Sequence, residues 1–438
     1  MKKFLAILAI GLPMIAVGMN FSMVNVSMAT LQKEFNAGIA ELQWLMNSVG
    51  ITVSAFMVTM GKWADLRGRR HLYFLGTLLV CIAALGSTFA PKLGWIIACQ
   101  AIQGLAAAIV IPISQALLSH LYPEERRAQA IGIWGILTSI SLGIGPIMAG
   151  VILATLSWRW LFFINVPLAL LSILLLFRYV CESKSQNSPP KIDLRAVFLL
   201  ILTIGSLVFS IMQIPIWGWK ILWPLAVFFL SLGLFIRLEK RSSSPIIRPD
   251  FFFRRTFLLS TSANFCMIFF AWGYFFLFPY YLQKEQGFSA LHVGLILLLV
   301  TGPMALFSSS IAKLYNKTGP KLLMVVGFLL LGLSSVIQLF FTPEMALLPF
   351  LAALSFGIGW VLAWGPSITS AVSSVPLDSA GTASAAFATL QEVGGTLGLT
   401  IVGTAFRASG HFASGVLVLL LISLLGALFS ARLKVEKK

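Results

Sequence analysis

Charge is what this chain has least of. Only 10% of its 438 residues are Asp, Glu, Lys or Arg, against about 25% in soluble domains, and no polar stretch is long enough to fold as one. Histidine and cysteine are scarce, with four of each. His71, His120, His292 and His411 fall at loops or helix ends and do not cluster, which argues against zinc or His-based catalysis. Cys81, Cys99, Cys181 and Cys266 lack metal-ligand spacing and read as buried free thiols. No phosphate-binding loop or nucleotide motif is present, which excludes an ATP-driven pump; no cofactor or metal is expected.

Apolar residues are what is there, at 58% of the chain with a mean hydropathy of +0.94. Runs long enough to cross a hydrocarbon core of about 30 Å recur from end to end, about fourteen in all. The formal charge of +17 must therefore be sorted by loop. With the N-terminus placed inside, Lys33, Lys92, Arg159, Lys220, Lys284 and Arg407 fall outside and the remaining 25 of 31 Lys and Arg inside. That bias predicts cytoplasmic termini and makes the charge a topology signal with a secondary attraction to anionic headgroups, and not a nucleic-acid surface. The opening "MKKFLAILAIG" has the form of a signal peptide. Its apolar run continues to Leu31 with no A-x-A site, so a retained first helix is expected.

The segments "GKWADLRGRR" (61–70) and "AKLYNKTGPK" (312–321) each follow a span, and Lys62/Lys313 and Gly68/Gly319 coincide at one offset. Each closes the second span of a six-span block. The blocks 1–181 and 257–438 are nearly equal in length, which points to a duplicated transporter body. Residues 182–256 form a two-span insert entered through "ESKSQNSPPKID" and left through "EKRSSSPIIRPDFFFRR", both loop-like in composition. The expected fold is an all-α polytopic membrane protein of two six-helix bundles plus two inserted helices.

The chain resembles, along its whole length, the major facilitator superfamily in its fourteen-helix drug:proton antiporter branch. Gly61, Asp65, Gly68, Arg69 and Arg70 of "GKWADLRGRR" match the superfamily's loop between helices two and three. There Gly61 and Gly68 allow a tight turn, and Asp65 can cap a helix or pair with Arg69, forming a breakable latch. "LGIGPIMAG" resembles the branch's antiporter motif through Gly145, Pro146 and Gly150. Small residues and a proline suit a bending helix in alternating access. "SWRWLFFINVP" is similar to the branch near its sixth span and implies Trp158 and Trp160 as interfacial belt residues beside Arg159.

Two positions depart from the resemblance. Asn20 stands where the branch has an Asp, with Asn25 kept; Gln100 stands where it has an Arg, followed by Gln103. An isolated buried charge is expensive, so replacing both ions leaves two amides that hydrogen-bond without ionising. Neither amide can carry a titratable proton.

Glu392 is the one acid deep inside a predicted span, beside Gln391 in "FATLQEVGGTLGLTIVG". Ala388, Thr389, Gly395 and Thr396 share or flank its face, which suits a cavity wall or a helix contact more than lipid. A carboxyl group there can take a proton from one side and release it to the other, or attract a cation. The alternative is a protonated Glu bonded to a carbonyl or to Gln391. Trp44, Trp272, Phe275, Trp360 and Trp364 are aromatic candidates for a cavity wall, most of them expected to be packing or belt residues.

The resemblance implies an exporter of small amphipathic solutes, coupled to protons, that acts as a monomer in a bacterial-type inner membrane. Asn20, Asn25, Gln100, Gln103 and Gln391 would line its central cavity. A uniporter or a dedicated metabolite or siderophore exporter with a structural Glu392 is the alternative, and a non-transporting membrane sensor is the alternative of another class. A lone Glu without a His, Ser or metal-ligand partner makes a poor catalytic site, so no enzyme is expected.

Overall fold

A computed structural model of the chain describes residues 2–122, 127–182, 193–242, 249–342, 347–375 and 380–433. They divide into two compact units, Met1–Phe198 with Ser289–Gly294, and Leu199–Phe288 with Leu295–Lys438.

The first unit contains α1 (Lys2–Phe35), α2 (Ile39–Arg67), α3 (Arg69–Thr88), α4 (Leu93–His120), α5 (Arg127–Thr155), the short α6 (Trp160–Phe163) and α7 (Asn165–Tyr179). Helix α1 runs along α5 and α7, while α4 lies against α2 and α3. Ile10, Tyr73, Val80, Ile109, Val110, Leu117 and Leu176 meet in its core. Pro13 lies inside α1. Proline has no N–H, so the carbonyl four residues earlier loses its helical donor. That carbonyl, of Ala9, instead accepts the Ser172 hydroxyl of α7 at 2.6 Å. The next carbonyl, of Ile10, accepts the buried Tyr73 hydroxyl of α3.

The second unit takes in most of α8 (Leu194–Trp217), then α9 (Leu222–Arg241), α10 (Arg255–Lys284), α11 (Ala290–Leu339) beyond its first turn, α12 (Leu348–Ser373), α13 (Ala380–Ser409) and α14 (Phe412–Ala431). Helix α10 is central and packs on α12, α13 and α14. Its rings form an aromatic core with α12, with Tyr274 4.5 Å from Phe278 and 4.4 Å from Phe356, centroid to centroid.

Among the described residues, twelve helical stretches are long and apolar enough to cross a membrane. One of them, Leu194–Arg241, is 48 residues long and contains α8, a 3-10 turn at Gly218–Ile221 and α9. Helix α13, rich in Ala, Gly and Thr, is not among the twelve. Outward faces are apolar, as at Phe229 (66% exposed) and Leu421 (62%), which suits lipid and not water.

The two turns that coincide in sequence each hold a glycine at positive φ. Gly68, the single residue between α2 and α3, has φ +112°; Gly319, which breaks α11 into two helices, has φ +76°. Both lie in the region that glycine alone enters at low cost, and Pro320 then opens the second helix at a position that needs no N–H donor.

Two expectations are corrected. Cys81, Cys99 and Cys266 are buried, but Cys181, two residues past the end of α7, is exposed, because the chain has left the helix packing by that point. Trp158 is no belt residue; it is buried, with its ring centroid 5.3 Å from that of Phe35 and 6.1 Å from that of Phe162. An interfacial signature does not specify the helix end that closes over the ring. Trp160 is exposed, as a belt residue should be.

Candidate functional site

In the first unit, α1 and α4 bring Asn20 and Gln100 together. The Asn20 amide donates to Gln100 Oε1 at 3.1 Å, and both residues are buried. Gln100 Nε2 and Gln103 Nε2 have no hydrogen-bond partner among the described residues, an arrangement that costs about 1–3 kcal/mol per buried group unless water or a solute meets it. Asn25 turns back on its own helix, donating to Phe21 O at 2.9 Å, with Oδ1 left without a partner.

Helix α5 reaches this centre through small residues. Gly145, Pro146 and Gly150 are buried. A Cβ on Gly145 would collide with Ser22 Oγ and come within 3.1 Å of Met19 O; one on Gly18 would lie 2.7 Å from Ser141 Cβ. The two backbones therefore approach as closely as glycine permits.

At the other end of the unit, Gly68 N–H closes α2 on Ala64 O at 3.0 Å. The partner of the α3 N-terminus is one that the sequence reading missed. Glu182, just beyond α7, accepts the backbone N–H of Arg70 at 3.0 Å and of His71 at 3.3 Å, and also meets the His71 ring. A carboxylate at a helix N-terminus satisfies orphan donors and opposes the helix dipole. The Arg70 guanidinium donates to Val180 O at 3.3 Å and lies 5.7 Å from the Phe177 ring centroid, so it clamps the end of α7. Arg69 is half-buried beside it. The Asp65 side chain lies outside the described residues. A Cβ on Gly61 would meet only ordinary contact with Pro112 at 4.0 Å.

The second unit carries Glu392 on α13, half-buried and with no ion-pair partner among the described residues. Its Oε1 accepts Gln391 Nε2 at 3.4 Å, and Gln391 Oε1 in turn accepts the Trp364 indole N–H from α12 at 3.3 Å. Thr396 donates to the Glu392 backbone carbonyl at 2.9 Å. Two glycines four residues apart set α13 on α10: a Cβ on Gly394 would lie 2.8 Å from Phe265 O, and one on Gly398 2.6 Å from Phe269 Cα. A Cβ on Gly395 would lie 2.8 Å from the Trp272 ring. The α10–α12 seam is polar as well, with Asn264 donating to Ser367 Oγ and Ser260 to Ser370 Oγ, both at 2.9 Å.

Of the aromatic candidates, Phe275 and Trp360 are buried and pack on each other and on Phe356. Trp44, Trp272 and Trp364 remain half-buried, and Trp364 is the one hydrogen-bonded toward Glu392. Among the described residues, no three His, Cys, Asp or Glu lie close enough to hold a metal ion.

Comparison with known proteins supports a transporter. Residues 11–399 match the family model described as Major Facilitator Superfamily. The Multidrug resistance protein Stp of Mycobacterium tuberculosis is 30% identical over 414 residues, covering 93% of this chain and 76% of the relative. The Tetracenomycin C resistance and export protein of Streptomyces glaucescens is 26% identical over 405 residues, covering 91% and 74%. The crystal structure of a D-xylose-proton symporter superposes with a TM-score of 0.70 over 98% of this chain and 97% of that one, at 16% identity, a likeness of fold.

Proposed function

Since the chain belongs to the Major Facilitator Superfamily, we propose that it is a fourteen-helix drug:proton antiporter exporting small amphipathic compounds by alternating access. It is a multi-pass membrane transporter and not an enzyme. Stp and the tetracenomycin protein, named for resistance and export, support outward transport of such solutes. For the helix count, Leu194–Arg241 at about 1.5 Å per residue is long enough for two crossings of a core of about 30 Å. Helix α13, at 30 residues, is long enough for one. These raise twelve stretches to fourteen. The excess of basic residues in the inner loops supports cytoplasmic termini in an inner membrane, and in this reading the chain works as a monomer.

The observation that carries the coupling is Glu392. Asn20 and Gln100 are joined as neutral amides and hold no titratable proton, whereas Glu392 is an acid deep in a helix with no ion-pair partner among the described residues, the usual mark of an ion or proton pathway. The α5 glycines serve as the bending helix, and Gly68 and Arg70, held by Glu182, serve as the latch.

The test uses purified protein in liposomes carrying a lumenal pH dye, with ethidium as solute, comparing the parent with Glu392→Gln. Ethidium-dependent proton flux that the Gln variant loses while it still binds ethidium supports antiport. Transport with no proton movement would make the chain a uniporter or a proton-independent exporter with a structural Glu392.

A further inference from the structure

Trp364, Gln391 and Glu392 form a chain whose polarity is fixed at one end. The indole N–H is a donor and nothing else. Gln391 must therefore turn Oε1 toward Trp364, and its Nε2 must face Glu392, as the 3.3 Å and 3.4 Å contacts show. An amide N–H suits an ionised carboxylate, which only accepts. A protonated carboxyl keeps one accepting oxygen but also needs an acceptor for its O–H, and the carbonyls one turn back on α13 already take the helix's own N–H groups, which leaves Gln391 as the side-chain acceptor beside it. For Gln391 to supply one, its amide must rotate by half a turn, which brings Nε2 to the indole N–H. Donor then faces donor, and Trp364 must leave its seat.

We propose that Trp364 and Gln391 are positioning residues that make proton and solute mutually exclusive: seated Trp364 holds Gln391 in the orientation that supports ionised Glu392, and protonation unseats it. This rests on the reading of Glu392 as the coupling site. A planar aromatic solute stacked on the half-buried Trp364 favours the seated indole and so opposes protonation. When the proton, drawn from one aqueous phase, binds Glu392, the ring moves and the stacked solute loses its platform. The proton later departs to the opposite phase and the ring reseats. The coupling runs through an amide rotation and works for a neutral solute as well as a cation. It therefore differs from simple competition between two positive charges for one carboxylate. Each ligand shifts a two-state element by its differential affinity for the two states.

Helices α12 and α14 carry no titratable residue. Helix α10 carries Cys266, Tyr274, Tyr280 and Tyr281 along its length, with Arg255 and Lys284 at its ends. Helix α13 itself adds only Arg407, in its last turn. Helix α11, which packs on α12, carries His292, Lys313, Tyr315, Lys317 and Lys321, and α8, which meets α13 at Met212, carries Arg195; none of them is an acid. Glu392 is thus the one acid on these helices, and Gln391 is the side chain that donates to it.

The experiment measures binding of N-phenyl-1-naphthylamine, a neutral aromatic fluorophore, to the full-length protein in detergent at pH 8 and pH 6. The variants are Trp364→Phe, which keeps a ring and removes the N–H; Gln391→Met, which keeps the volume and removes the amide; and Glu392→Gln. Thermal unfolding confirms that each is folded. The parent should bind at least about fivefold more weakly at pH 6, in the usual range of a coupling between sites. Trp364→Phe and Gln391→Met should bind within about threefold of the parent at pH 8 and change less than about twofold on acidification. If both keep the parent's pH response while Glu392→Gln loses it, the switch is overturned and Glu392 remains the proton site. A Glu392→Gln variant that keeps the response overturns the site and the switch together. A pH response confined to ethidium and absent with the neutral fluorophore also overturns the switch, leaving charge competition.

Discussion

Asn20 and Gln100 meet as two neutral amides at 3.1 Å in the interior of the first unit. The pair occupies positions where the resembling branch has an acid and a base. Restoring one charge alone buries an ion beside an amide, at a cost of about 3–5 kcal/mol for an uncompensated partner. Asn20→Asp and Gln100→Arg should each lower the thermal unfolding midpoint sharply. The double variant should recover most of the loss, a coupling that a double-mutant cycle reads directly.

Gly68 and Glu182 make a second, local prediction. Alanine at Gly68 must hold φ +112° and would place Cβ 2.7 Å from the Glu182 carboxyl carbon. Strain of this type costs on the order of 1–3 kcal/mol, whereas removing a helix-capping carboxylate costs about 1 kcal/mol. Gly68→Ala should therefore destabilise more than Glu182→Ala when thermal unfolding is compared. Glu182→Gln, which still accepts N–H groups, should fall between Glu182→Ala and the parent.

These residues also mark how far the sequence could be read. Apolar runs specify helices because each must satisfy its own backbone in lipid. The offset glycines specify a turn because few residues enter positive φ. The paired loss of an acid and a base at Asn20 and Gln100 is legible because a buried ion requires its partner. Glu182 was not legible: it meets Arg70 across 112 residues of chain, and an acid that closes a span looks like any solvated loop residue. Trp364 stood among five aromatic candidates for the same reason, since periodicity gives a face and not the neighbouring helix. Only the packing of α12 on α13 singles out its indole N–H.

Glycines that sustain helix contact should differ from those that do not. A Cβ on Gly398 would lie 2.6 Å from Phe269 Cα, whereas one on Gly205 of α8 meets nothing within 4 Å. Gly398→Ala should push α13 from α10, lower the unfolding midpoint and reduce transport by carrying Glu392 with it. Gly205→Ala should be neutral or stabilise by up to about 1 kcal/mol, the helix propensity of Ala over Gly.

The proline of α1 supplies a test in which one defect cancels another. Pro13 leaves Ala9 O without its helical donor, and the Ser172 hydroxyl fills the place at 2.6 Å. Ser172→Ala strands that carbonyl in a buried, apolar setting, at a cost of about 1–3 kcal/mol. In a Pro13→Ala background the new N–H can bond Ala9 O within the helix, so the same Ser172→Ala change should cost far less. Thermal unfolding of the four proteins gives the interaction energy. Equal costs in both backgrounds would mean that Ser172 matters for packing alone and that the carbonyl freed by Pro13 needs no outside donor.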